Sequence, residues 1–358
     1  DAALFEFDAR SAALSPPQLI ASVSTPYQND LHRRLKTIST NPRTAALEVW
    51  EVDALVGEHF ARVANILIAQ SRYPLSGIAA IGSHGQTVFH APRTRPPLSV
   101  QLGDPNIIAE RTGLTVVADL RRRDIAAGGE GAPLAPLFHQ AWFGTERENR
   151  CVLNLGGIAN ISLVTQGSNA PPSGFDTGPA NTLMDHWSRT HGHGDFDRAG
   201  EWARSGSVDE ELLARFLADP YFSQSGPKST GPEYFSPTWL HAMLTGDESA
   251  QDVQRTLLEL TARSIADAVR AQTLGVARLL VAGGGVHNQF LMERLTELLA
   301  PVDMQRTDGF GLPSRWLECA GMAWLAMHAL NGWSLDLNAV TGSRGPLTLG
   351  GIYRGRQV

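Results

Sequence analysis

The sequence predicts an α/β protein of one large or two ordinary globular domains, and three stretches carry that prediction. Arg278-Leu279-Leu280-Val281 reads as a strand that opens into Gly283-Gly284-Gly285-Val286-His287-Asn288. A helical pattern with Phe290, Leu291, Leu295 and Leu298 follows it. Val152-Leu153-Asn154-Leu155 ends on Gly156-Gly157 and is followed at once by Asn160-Ile161-Ser162-Leu163-Val164, two β-rich runs that meet at paired glycines as a hairpin. From Leu47 through Ile68, Val49, Val52, Leu55, Val56, Phe60, Val63 and Ile66 recur at spacings of three and four, the mark of an amphipathic helix. With 358 residues, 42% hydrophobic and 18% charged, the chain can bury substantial cores.

Composition excludes several classes of partner. A net charge of −6 gives no electrostatic basis for binding nucleic acid or acidic lipid. The two cysteines, Cys151 and Cys319, lie far apart without metal-ligand spacing, which fits a reducing, cytosolic setting. No apolar run reaches the length of a membrane span, and no signal-like segment opens the chain. The first residue is Asp1 rather than Met, which points to a native start further upstream.

In chain order, Ala2 to Phe7 reads as a strand entered mid-stride, and residues 11–47 are mixed and punctuated by proline. Ile78 to Ile81 is a short buried strand running into Gly82-Ser83-His84-Gly85-Gln86-Thr87. Polar residues at the end of such a strand lie where α/β proteins bind ligands. His84 as a plain turn residue is the weaker reading. Leu98–Leu102 and Leu114–Ala118 are further strands, with a helix over Pro105–Arg111 between them. The second strand runs into Asp119-Leu120-Arg121-Arg122-Arg123-Asp124 and then Ala127-Gly128-Gly129. Three consecutive arginines usually form a solvated face. After a buried strand and before a double glycine, they predict at least one guanidinium turned toward an anionic or hydroxyl-rich ligand.

Gly174-Phe175-Asp176-Thr177-Gly178-Pro179-Ala180-Asn181 sets Asp176 between glycines, just ahead of a helix carrying Leu183, Met184 and Trp187. Pro179 is expected in the first turn of that helix. An acid held on a tight loop beside a glycine nest is a candidate general base. A helix-capping Asp beside an ordinary glycine turn is the competing reading. His191, His193, Asp195 and Asp197 are close in sequence, but no third imidazole or thiolate at a regular spacing supports a metal site. Gly226-Pro227-Lys228-Ser229-Thr230-Gly231 superficially suggests a Walker-type phosphate loop. It fails on spacing, and no buried strand leads into it.

A long helix is expected between about Asp252 and Leu274. A last helix carries Trp316, Leu317, Ala320, Met322, Ala323 and Leu325, with Glu318 on its early turns. That carboxylate either favours the helix dipole or binds sugar hydroxyls. The turn-rich tail from Thr341 is expected to pack back on the core.

Taken together, IGSHGQT (81–87), VVADLRRRDIAAGGEGAPL (116–134), LNLGGIANIS (153–162), GFDTGPAN (174–181), GPKSTG (226–231) and LLVAGGGVHN (279–288) resemble anhydro-N-acetylmuramic acid kinase, along essentially the whole chain and in order. The resemblance implies membership of the actin, sugar kinase and Hsp70-like superfamily. Its members have two α/β domains of the ribonuclease-H-like kind with an interdomain cleft. It places an N-terminal domain at 1–128, joined by part of the C-terminal tail, and a second domain at 129–358.

The implied reaction is ATP-dependent, with Mg²⁺. Water opens 1,6-anhydro-N-acetylmuramic acid while O6 takes the γ-phosphoryl group, giving N-acetylmuramic acid 6-phosphate and ADP in cytoplasmic peptidoglycan recycling. Asp176 matches the catalytic acid of the family. Arg123, Asp124 and Glu318 match positions that hold the sugar and its lactyl carboxylate, with His84 and Gln86 near them. Asn154, Gly156, Gly157 and Asn160 match a phosphate loop, and Gly283, Gly284 and Gly285 the adenosine-side loop. No residue is assigned to a metal, and a homodimer is implied.

The family begins with a strand and a Gly-Thr-Ser-x-Asp-Gly-x-Asp turn, the first phosphate loop, and Asp1 matches its final Asp. That loop is therefore expected upstream of the present residue 1. Two alternatives are a hexose or amino-sugar kinase of the same superfamily and, were the loop truly lacking, a catalytically silent muropeptide sensor.

Overall fold

The computed structural model describes residues 1–7, 16–41, 43–167, 172–224, 228–272 and 275–356. Gly226 and Pro227 of the Walker-like stretch, and Leu274 at the expected end of the long helix, lie outside the described residues. The chain divides into two compact units, one of Asp1–Phe138 with Trp316–Val358 and the other of His139–Arg315. The first crossing falls inside the helix Ala135–Phe143 rather than at 128/129.

In the first unit, β1 (Ala2–Glu6) pairs antiparallel with β2 (Gln18–Val23). β3 (Ile81–Gly82) leads into the hairpin β4 (Gln86–Ala91) and β5 (Leu98–Leu102). β6 (Val116–Ala118) then pairs parallel with β3, and its other edge receives the C-terminal strand Gly351–Tyr353 antiparallel. The buried strand expected from Ile78 shrinks to two residues, with neither fully buried. Gly82 is needed there, because a Cβ would collide with the carbonyl of Met322 on the helix Leu317–Asn331.

The helix Ala46–Ser71 buries Val52, Val56, Val63 and Leu67, whereas Leu55 lies off that stripe at 42% exposure. The helix Pro105–Thr112 starts on Asp104, whose side chain accepts the Asn106 N–H, and carries its proline in the first turn, where no amide partner is lost.

The second unit is built on one five-stranded sheet. Its strands are β7 (Arg150–Leu155), β8 (Ile158–Val164), β9 (Ser173–Pro179), β10 (Arg278–Ala282) and β11 (Asp303–Arg306), in the order β9-β8-β7-β10-β11. The first three form an antiparallel meander, and β10 and β11 run parallel to β7. Counted from β7 this is the order 3-2-1-4-5 of a ribonuclease-H-like domain. β7, at the centre, is buried at Cys151, Val152, Leu153 and Leu155, the near-continuous apolar run expected of a strand covered on both faces.

The helix Ala250–Arg270 begins on a Ser249 cap, buries Val253, Leu257, Leu258, Leu260 and Ile265, and packs against β9. It also holds Glu259, whose side chain is 1% exposed. Arg294, on the helix Gln289–Leu299, donates to it twice at 2.9 Å, with Arg263 at 2.8 Å and Arg255 at 3.2 Å. Burial alone raises the Glu259 pKa, but the bonds from Arg294 and Arg263 and the nearby positive charges overcome it and hold the group at about 2. A folded-state pKa below the ordinary 4.5 stabilises the fold fully above that pH, and the contribution is lost as pH falls toward 2. Glu259→Gln leaves three guanidiniums without their carboxylate and is expected to cost about 3 kcal/mol. The cost should be read at pH 7 as a lower urea midpoint with unchanged slope, and the gap from wild type should narrow below pH 4.

Candidate active site

The hairpin turn and the glycine triplet meet at the end of β7. Gly156-Gly157 joins β7 to β8, and its carbonyls are tied to the start of the helix Asn181–Thr190. Asn181 Nδ2 donates to the carbonyls of Leu155 at 3.0 Å and Gly156 at 2.7 Å. The Ala180 and Thr182 amides donate to Gly157 O at 3.0 and 3.1 Å. From the other side comes Gly283, with φ +87°. A Cβ there would lie 2.5 Å from Asn154 Oδ1 and 2.7 Å from Leu155 O, and one on Gly285 would lie 2.6 Å from Leu155 Cβ. Gly284 faces open space. Only side-chain-free residues allow these two turns to close on the strand end, and close backbone approach is what phosphate loops require. Beyond the triplet, an open groove of about 370 Å³ is lined by Val286, Gln289, Met292, Glu293, Thr296 and Arg306, a volume within the range of small-molecule sites.

Asp176 is on a strand. It was expected on a tight loop, with Pro179 opening the following helix; instead Ser173–Pro179 pairs with β8, Pro179 ends that strand, and the helix begins at Asn181 behind Ala180. Tertiary pairing overrides the poor strand propensity of a stretch containing Gly174, Gly178 and Pro179. The register is informative. Asn154 faces Asn160 across β7 and β8, and Asn160 faces Asp176 across β8 and β9. Directly paired residues share a face of the sheet about 5 Å apart. Three polar side chains therefore form a row that starts beside the glycine turns and ends on the carboxylate.

The strand is braced from behind, since Thr261 Oγ1 donates to Pro179 O at 2.9 Å. In front, Asp176 Oδ2 accepts from the Thr230 amide at 2.9 Å and from Ser229 Oγ at 3.2 Å. The Asp176 amide donates to Lys228 O at 3.0 Å, and Tyr221 Oη donates to the Asp176 carbonyl at 2.7 Å.

In the first unit, His84 sits against Arg121. Its Nδ1 lies 2.9 Å from Gly85 O, and its Nε2 accepts from Arg121 Nε at 3.0 Å. Burial, and then the Arg121 charge, push its pKa down to about 4, so the ring is neutral with its proton on Nδ1. Gln86 opens β4, and its Oε1 accepts from Tyr27 Oη at 3.1 Å. Residues 120–126 are a helix. Arg122 pairs with Asp119 at 3.1 Å, and Arg123 is exposed on the last turn. Glu318 is exposed in the first turn of Leu317–Asn331.

Asp124 is placed differently from the other candidates. It was expected to hold the sugar, yet it is fully buried, with Oδ1 accepting from Thr341 Oγ1 at 2.8 Å and Oδ2 from the Gly131 amide at 2.7 Å. A Cβ on Gly129 would collide with this carboxylate, which explains the double glycine. Burial raises its pKa against the lowering effect of the Thr341 and Gly131 bonds. Asp124 therefore fixes the 127–131 turn and the 338–341 helix to one another.

His191 is tilted against Trp187 and His193 stacks on Trp202, with ring centroids 4.0 and 3.9 Å apart. Among the described residues, no three His, Cys, Asp or Glu side chains are grouped to hold a metal. Sequence reading did not single out the contacts of Asn181, Tyr221, Ser229 and Thr230, and of the three arginines it chose Arg123 where Arg121 is the one that meets His84. The GPAN and GPKSTG motifs were visible, but which backbone groups they would meet was not.

Asp124→Ala strands the Gly131 amide and the Thr341 hydroxyl in a dry interior, and is expected to lower stability by about 2 kcal/mol in chemical denaturation. Asp124→Asn, which keeps the shape, should cost less than half of that.

The family model for anhydro-N-acetylmuramic acid kinase matches residues 1–355. A protein of that name from Xylella fastidiosa is 47% identical to this chain, over 99% of this chain and 92% of its own length. One from Chromohalobacter salexigens is 45% identical, over 95% and 93%. One from Coxiella burnetii is 41% identical, over 100% and 94%. The chain belongs to the anhydro-N-acetylmuramic acid kinase family.

Proposed function

We propose that this protein uses ATP and water to convert 1,6-anhydro-N-acetylmuramic acid into N-acetylmuramic acid 6-phosphate and ADP, a step of peptidoglycan recycling. The observation that carries the chemistry is the row of Asn154, Asn160 and Asp176 leading from the glycine turns to a single carboxylate. Asp176 takes a proton from water as the water oxygen attacks C1. The C1–O6 bond breaks, and O6 forms a bond to the γ-phosphorus as ADP leaves. A carboxylate on a strand braced by Thr261 is held where one water can be oriented before reaction, which is where general-base catalysis gains most.

The main-chain groups at Gly156, Gly157 and Asn160 and the side chain of Asn154 are assigned to the phosphates. The Gly283–Gly285 turn and its groove are assigned to the adenosine end. Arg123, Glu318, His84 and Gln86 are assigned to the sugar, joined by Arg121, whose bond to His84 favours the neutral imidazole. Mg²⁺ would supply charge neutralisation on the phosphates, carried by them and by water. No protein ligand set for it is assigned, and no step is routed through it.

No helix among the described residues is long and apolar enough to cross a membrane. A cytoplasmic setting and a homodimer belong to the same proposal. The dimer is supported by the apolar face that Leu47 and Trp50 expose at 66% and 69% on Ala46–Ser71.

Turnover in ¹⁸O-water should place one label at C1 of the phosphorylated sugar. Label-free product from a free hexose substrate would favour an ordinary sugar kinase instead. Asp176→Asn should abolish turnover while leaving sugar affinity within about tenfold by calorimetry, and retained turnover would end the mechanism. Gly283→Ala, forced against Asn154 and Leu155 at a positive φ, is expected to raise KM for ATP by about tenfold or more while KM for the sugar holds.

A further inference from the structure

The segment Lys228-Ser229-Thr230 has no place in the reaction as proposed, yet it surrounds Asp176. Five hydrogen bonds and one cation–ring contact define the arrangement. The Asp176 amide donates to Lys228 O at 3.0 Å, which lays the segment along the outer edge of β9. The Thr230 amide and Ser229 Oγ both reach Asp176 Oδ2, at 2.9 and 3.2 Å. Tyr221 Oη donates to the Asp176 carbonyl at 2.7 Å. Lys228 Nζ donates in turn to Tyr221 O at 2.9 Å and lies 4.6 Å from the centre of the Tyr221 ring. Residues 176, 221 and 228 therefore close a ring of contacts, and the lysine charge is committed to the tyrosine.

Two kinds of contact are present, and they do different things. The bonds to the main chain of Asp176 tie down an edge strand, and would do so whatever side chain stood at 176. The two donors on Oδ2 contribute nothing to that edge. They act on the carboxylate alone, favouring its ionised form and restricting rotation about its terminal torsion.

We infer that Ser229 and Thr230 are positioning residues for the Asp176 carboxylate, fixing one of its oxygens so that the group meets the reactive water in a set plane. Tyr221 and Lys228 hold the segment that carries them. The inference rests on Asp176 acting as the base of the proposed reaction. It gives Lys228-Ser229-Thr230 a role different from that of a phosphate loop, which the spacing already argued against.

The test uses the full chain with ATP and the anhydro-sugar, and follows kcat, both KM values and the pH dependence of kcat for Ser229→Ala. Ser229 is exposed, so the substitution leaves the fold intact. Loss of one donor is expected to lower kcat by about tenfold with both KM values within about twofold. The acid limb of the pH profile should move to higher pH, because the ionised carboxylate has lost a partner. Ser229→Thr, which keeps the hydroxyl, should restore both. Thr230→Pro removes the other donor and should act in the same direction with a larger loss, provided its unfolding midpoint stays within a few degrees of wild type.

An unmoved pH limb and unchanged kcat in Ser229→Ala, alongside an inactive Asp176→Asn, would overturn the positioning role and leave the base intact. Turnover retained in Asp176→Asn would remove the reading on which the inference stands.

Discussion

The second unit depends on how closely two backbone turns approach the end of one strand. β7 is the middle of its sheet, and at its C-terminal end Leu155 is met by the hairpin turn at Gly156-Gly157 and by the triplet that follows β10. A side chain at Gly283 or Gly285 would overlap Asn154 or Leu155, so the sheet can deliver both turns to one place only where the Cβ is missing. Everything assigned to the nucleotide follows from that closeness. Strand pairing carries from β7 through β8 to β9, with a bulge beside Asp176 where Asn160 pairs with Asp176 and Ala159 with Gly178, and the position of Asp176 follows from that register.

Much of this was legible in the sequence, for identifiable reasons. Paired glycines between two β-rich runs predict a hairpin, and β7 and β8 form one. Strand, glycine triplet and helix were readable from 278 to 299 because local signals of three kinds agree there. What could not be read is governed by pairing across long separations. Gly174 to Pro179 has the composition of a turn and becomes a strand only because β8 offers an edge. Gln18–Val23 is a strand because β1 pairs with it, and residues 303–306 form β11 because β10 does, although these residues are mostly exposed and carry little apolar signal.

Asp124 poses a different difficulty for sequence reading. A carboxylate after three arginines and before two glycines looks like part of a ligand loop, and the glycines do mark close approach. The approaching group, however, is Asp124 itself, which receives Gly131 and the distant Thr341. Sequence alone shows that a backbone must come close to something without saying to what. The same ambiguity applied to Lys228-Ser229-Thr230, where a likeness to a phosphate loop concealed contacts with a carboxylate.

The two carboxylates then show how a single side-chain type serves two ends. Asp124 has no exposed surface, and its oxygens are matched by a main-chain amide and a hydroxyl within its own unit, so its worth is structural and its charge is costly. Asp176 keeps part of its surface and sits on an edge strand whose outer side is occupied by 228–230 instead of by another strand of the sheet. An edge strand is ordinarily a liability, because its unpaired main chain invites other chains. Here that edge gives Ser229 and Thr230 access to Asp176 Oδ2, which the interior of a sheet would not allow. The central strands supply rigidity and the edge supplies room for donors, and a base needs both.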